Sequence, residues 1–219
     1  MFPLALLNAS SPPSPPVDYD IVLWLKFEGA NGSTAFTDSS SYNASFTRVG
    51  NPTIQDNSGA FFSGDHIKAD QPVAGLYEWG DGDFEIRGEF KMASIGGYQG
   101  NVGQRISGGA PFTKSVFVHA DSGSKLVVQV AKSSVDYAVV VHQTPPTVNT
   151  MHTFRALRNG DYIELYLDDV KNDDASGAFI GSASVVANHT EIQVGVLGSV
   201  SAYPLNGYVK ELKITKAVV

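Results

Sequence analysis

Residues Met151–Val170 (MHTFRALRNGDYIELYLDDV) read as two strands joined at Asn159-Gly160. Asn-Gly is a strong hairpin signal, because both central residues of a type I′ turn need positive φ. The second arm alternates, with Ile163, Leu165 and Leu167 pointing one way and Tyr162, Glu164, Tyr166 and Asp168 the other. A period of two marks a sheet with one buried face. A lone hairpin is marginal in water. The segment therefore predicts further strands and a second sheet packed on its apolar side.

The rest of the chain can supply them. Its 219 residues suit one all-β domain, and 22 Gly and 11 Pro mark frequent turns. No helical periodicity extends beyond about two turns. The net charge of −7 argues against nucleic acid, whose phosphates call for a basic stripe. The absence of cysteine excludes a disulfide framework, a thiol nucleophile and a Cys-ligated zinc. No apolar run approaches the ~20 residues of a membrane span.

Residues 1–19 form an arm distinct from the domain expected over 20–219. Met1–Leu7 is apolar, and Asn8–Pro16 is rich in Pro and Ser and should be extended. A secretory signal is disfavoured, since no positive n-region precedes a short apolar run that contains Pro3. Phe2, Leu4, Leu6 and Leu7 are expected to dock the arm into a larger assembly, against the alternative of a loose tail.

Within the domain, Asp20–Glu28 opens with apolar residues on both sides and is expected to be a central strand. Gly59–Ala69 predicts two short strands about a Ser-Gly-Asp turn, and Phe84–Met92 is a one-sided strand with Phe84, Ile86, Phe90 and Met92 inward. Ser94–Ala110 reads as a Gly-rich loop. Ser115–Ala120 pairs with Lys125–Lys132, and Tyr137–Gln143 adds a strand before Pro145-Pro146. Asp168–Gly181 is an acidic connection. Glu191–Leu197 and Gly207–Lys216 close the domain, the last with a bulge near Lys210-Glu211 and paired to the opening strand. Roughly a dozen short strands spaced in this way suggest a sandwich or barrel.

The ordered set Leu23–Gly29, Asp38–Asn43, Gly59–Ala69, Asp83–Phe90, His152–Asp169 and Gly207–Thr215 resembles the laminin G-like / concanavalin A-like jelly rolls, especially those of phage and bacterial proteins. The resemblance covers roughly residues 20–217. It implies a two-sheet antiparallel jelly-roll sandwich carrying an extended N-terminal arm. The chain departs from the family at Met151, where many relatives have Trp, at Asp169, where they have Gly, and at Lys210, where they often have Asp. The last two fall at ligand-prone positions, which weakens the carry-over of a family calcium site.

Relatives include glycosidases and lyases, and a glycosidase needs two carboxylates at a set separation. Glu85 and Glu89 share a strand face, but Arg87 and Lys91 beside them favour a solvated, charge-alternating face. The five histidines lack metal-ligand spacing, and Gly97, Gly100 and Gly103 lack the Lys-Ser/Thr of a phosphate loop. No catalytic residue is assigned. Calcium is left open at Asp38, Asp81 and Asp83, against turn-capping roles for Asp38 and Asp83. Tyr77, Trp79, Tyr98 and Tyr203 are loop aromatics able to stack on sugar rings, to anchor a partner, or to cover a sandwich end.

Two functional expectations follow. One is a non-enzymatic structural protein of a phage virion, a capsid decoration or fibre subunit anchored by its arm to other virion proteins, with glycan-binding loops. The alternative is a free lectin-like carbohydrate-binding module, secreted or at a cell surface. A homo-oligomer is left open in both.

Overall fold

The computed structural model describes residues 19–55, 58–104, 116–131, 137–172, 178–182, 185, 191–196 and 203–218. Among them there is no helix. The strands are β1 (Tyr19–Leu25), β2 (Phe46–Val49), β3 (Thr53–Gln55), β4 (Gly59–Ser63), β5 (His66–Asp70), β6 (Phe84–Met92), β7 (Gln99–Gly103) and β8 (Val116–Ala120). They continue with β9 (Leu126–Ala131), β10 (Tyr137–Val141), β11 (His152–Asn159), β12 (Tyr162–Leu167), β13 (Val170–Lys171), β14 (Ala178–Phe179), β15 (Glu191–Val194) and β16 (Asn206–Ala217).

Two antiparallel sheets form a jelly-roll-like sandwich. The nine-stranded sheet runs β13-β12-β11-β6-β16-β4-β3, with β1 also on β16 and β14 also on β12. The seven-stranded sheet runs β10-β9-β8-β7-β15-β5-β2. One core lies between them. Phe84, Ile86, Phe90 and Met92 of β6, with Ile163 and Leu165 of β12, face Val102, Val118, Val128 and Ile192 of the other sheet. Each fully buried side chain of this size contributes about 1.5–3 kcal/mol.

Strand β16 is the spine. Its first residues pair with β4 and its last with β1, while almost its whole length lies along β6. The expected pairing of the opening and closing strands is present, from Tyr19↔Ala217 to Leu25↔Leu212. So is the bulge, a register shift between Val209 and Glu211. Gly59 passes close over that bulge: a Cβ there would lie 2.2 Å from the Val209 carbonyl oxygen, and its φ is 87°. Only glycine fits.

Four expectations change. Among the described residues strand β1 has one ladder partner, β16, and is not central there. Its consecutive buried residues, Val22 and Leu23, arise from a bulge between Ile21 and Leu23. Gln99–Gly103 is strand β7 within the segment read as a Gly-rich loop. Its glycines hide strand propensity, yet Gly103 admits the close approach of Phe117. Strands β2 and β3 were not foreseen, nor were β13 and β14, which lie within the acidic connection Asp168–Gly181. Lastly, Asn159 pairs with Tyr162, so the hairpin turn is Gly160-Asp161. Positive φ belongs to Gly160 (57°) and to neither neighbour, the pattern of a type II′ turn. The turn with two positive φ values comes one strand later, at Asp168 (49°) and Asp169 (62°).

Candidate functional site

The four loop aromatics separate into two pairs. Tyr77 and Trp79 are 1% and 3% exposed. Trp79 lies 4.8 Å from the Phe84 ring and donates from Nε1 to Gln104 Oε1 at 2.7 Å. Gln104 Nε2 in turn donates to the Tyr77 carbonyl at 3.2 Å. Lys216 of β16 clamps the same loop through the Leu76 carbonyl (3.1 Å) and the Glu78 carbonyl. Burial pushes the Tyr77 phenol well above its ordinary pKa and the Lys216 ammonium below its own. These rings belong to the buried core and offer no face to a ligand.

Tyr98 and Tyr203 are the opposite case, at 42% and 46% exposed. Lying 105 positions apart, they are brought ring to ring at 5.1 Å and 58°. Their backbones are joined where the Gly100 amide donates to the Tyr203 carbonyl at 3.0 Å. Gln99 locks the junction, accepting the Asn206 amide at 3.0 Å and donating to the Ser94 carbonyl at 3.0 Å. Tyr203 holds a φ of 60°, a strained conformation for a bulky residue.

From this rim the rings lead inward. Tyr98 is 6.0 Å from His119, and His119 is 5.3 Å from Phe117, on the outer face of the seven-stranded sheet. That face is polar and itself withdrawn from solvent, with Asn101, Gln129 and Gln193 buried. The Asn101 amide makes no hydrogen bond through either atom, at a cost of about 1–3 kcal/mol. A second exposed aromatic pair, Tyr162 and Phe179 at 5.7 Å, sits beside β12. Sequence inspection missed it, although outward alternation on β12 marked Tyr162.

The candidate calcium residues do not converge. Asp38 is buried, and its carboxylate accepts the Trp24 and Ser40 amides (2.9 Å each), the Ala44 amide (3.0 Å) and the Ser40 hydroxyl (2.6 Å). Asp83 accepts the Gly160 amide at 2.7 Å, fixing the hairpin turn. Asp81 is exposed. Among the described residues no three acidic or histidine side chains group to hold a metal. The carboxylates Glu85 and Glu89 do face solvent from β6. Glu85 lies 3.9 Å from both Arg87 and Arg155, and Glu89 is paired with Lys210 at 3.0 Å. The arm residues Phe2, Leu4, Leu6 and Leu7 lie outside the described residues.

No family model matches the chain, and no curated protein matches it. Solved structures do. The botulinum neurotoxin serotype D binding domain aligns with a TM-score of 0.69 at 13% identity, over 91% of this chain and 48% of that one. A botulinum neurotoxin type C structure, whose cell entry depends on two ganglioside molecules, aligns with a TM-score of 0.63 at 11% identity, over 91% and 49%. The chain thus spans about half the length of these toxin chains. Domain 4 of an extracellular arabinanase from Geobacillus stearothermophilus, in complex with arabinotriose, aligns with a TM-score of 0.64 at 12% identity, over 91% and 93%. These likenesses establish the fold.

Proposed function

We propose that the chain is a non-catalytic carbohydrate-binding module whose sugar platform is the Tyr98–Tyr203 pair. The carrying observation is that two aromatic rings from distant loops meet at the rim with over two fifths of each exposed. Rigid aromatic faces at a sheet rim suit the apolar faces of pyranose or furanose rings. The strained φ of Tyr203 supports a binding role, since such strain collects at functional sites. The likeness to an arabinanase domain that holds arabinotriose adds support from the fold.

The test is a glycan panel, with arabino-oligosaccharides included, against the wild type, Tyr98→Ala and Tyr203→Gly. Each variant should lose about tenfold or more in affinity, ~1.4 kcal/mol. Tyr203→Gly should melt no lower than the wild type, because glycine accepts the positive φ freely. Unchanged affinity in both variants would remove the platform.

For residues 1–19 we propose the anchoring role that their composition suggests, attachment of the module to a phage virion through Phe2, Leu4, Leu6 and Leu7. Deleting residues 1–17 should leave a folded domain that no longer incorporates into the particle. Normal incorporation would refute it.

A further inference from the structure

The outer face of the nine-stranded sheet carries an arrangement that only the strand register reveals. Tyr166 of β12 pairs with Arg155 of β11, and Arg155 with Arg87 of β6. Arg87 pairs with Lys213 of β16, and Lys213 with Trp24 of β1. One transverse row therefore reads Tyr-Arg-Arg-Lys-Trp across five strands. Four inter-strand steps of about 4.8 Å make it ~19 Å long.

Like charges directly opposite one another on a sheet are destabilising, and here three cations stand side by side. The outer two are held by the flanking rings: the Arg155 guanidinium is 4.2 Å from the Tyr166 centroid and the Lys213 ammonium 5.0 Å from that of Trp24. The three cations are only partly neutralised, since the two arginines share one ion-pair carboxylate. Glu85 pairs with both arginines at 3.9 Å, near the limit of an ion pair, and Arg155 Nε makes no hydrogen bond. Neighbouring lysines differ: Lys210 and Lys171 each hold a carboxylate, at 3.0 and 2.9 Å. Clefts of about 500 and 270 Å³ lie along this face and share Glu89 and Glu211.

We infer that this face binds an acidic polysaccharide, whose carboxylates or sulfates lie along the Arg155–Arg87–Lys213 row. The neighbouring rows on the same strands explain why a sugar polymer fits. Glu85 flanks the row on one side, and Glu89 with Glu211 on the other, the last two directly opposite each other. A narrow cationic strip between carboxylate acceptors suits a ligand with spaced negative charges and hydroxyl donors between them. A densely charged nucleic acid would meet the flanking carboxylates and a chain of net charge −7. The face is separate from the Tyr98–Tyr203 rim and shares no residue with it.

The experiment is affinity electrophoresis of the full chain in polygalacturonate and in heparin, with single-stranded DNA as a generic polyanion. The wild type should be retarded by at least one acidic polysaccharide, more strongly than by DNA. The double variant Arg87→Gln, Arg155→Gln should lose that retardation by about tenfold. Removing like charges that face each other should leave its melting temperature unchanged or higher, so loss of folding is detectable. Tyr98→Ala should bind the acidic polymer as the wild type does, which keeps failure at the rim distinct from failure here. No retardation by either polysaccharide, equal retardation by DNA, or an unaffected double variant overturns the inference.

Discussion

His152 donates from Nδ1 to Asp168 Oδ2 at 2.6 Å, tying the start of β11 to the turn that follows β12. Nδ1 carries a proton because its partner is a carboxylate, while Nε2 lies 2.9 Å from the Thr147 amide and 3.2 Å from the Thr147 carbonyl. Asp168 Oδ1 also accepts the Thr153 amide at 2.9 Å. Partial burial raises the Asp168 pKa, but the hydrogen bonds from His152 and Thr153 outweigh it and hold the carboxyl below its ordinary value. A depressed folded pKa contributes stability that is full above the ordinary carboxylate range and is lost as pH falls through the folded value. Asp168→Asn should cost about 1 kcal/mol at neutral pH and shrink the loss of stability below about pH 4. Thermal melts from pH 2 to 7 measure both; a variant with an unaltered acid limb would separate Asp168 from that limb.

Asp168 and Asp169 are both held at positive φ, 49° and 62°. The first is tied down by His152 and Thr153. At the second, glycine removes the Cβ clash of the left-handed region, so Asp169→Gly should stabilise the protein by about 0.5–1 kcal/mol. For a chain of this size that raises Tm by roughly 1–4 °C. Calorimetry decides it, and a lower Tm would mean that Asp169 makes a stabilising contact.

Trp79 is a core residue with a polar edge. Trp79→Ala should cost about 3–5 kcal/mol. Trp79→Phe keeps the contact with Phe84 but leaves Gln104 Oε1 buried without its donor, at about 1–3 kcal/mol. Neither variant that remains folded should alter glycan affinity, which urea unfolding and titration calorimetry would establish together.

Asp38 organises the turn after β1 through four donors. Asp38→Ala strands three amides and a hydroxyl and should cost at least about 2 kcal/mol. With its oxygens so engaged, calcium should leave the wild-type melt unmoved. A rise in Tm with calcium, reversed by chelator, would restore Asp38, Asp81 or Asp83 as ligands.

Much of the sandwich is legible residue by residue. Ile163, Leu165 and Leu167 point inward as their alternation requires, the bulge sits at Lys210-Glu211, and β1 closes on β16. These signals are local, or they follow from the need to bury one face and hide an edge. Strand β7 was hidden because its place is granted by neighbours and not by propensity: glycine is a poor strand former alone and a good one where Phe117 must come close. The same limit separates Trp79 from Tyr98, two loop aromatics alike in sequence, one sealed by Gln104 and Phe84 and the other left open beside Tyr203.

By itself the sequence determined which side chains share a face, because a strand's period is two whatever it pairs with. The tertiary structure alone decided which of them stand side by side. Arg87 and Arg155, 68 positions apart, become neighbours only through the β6–β11 register. That register is set by non-local pairing, which no single strand encodes.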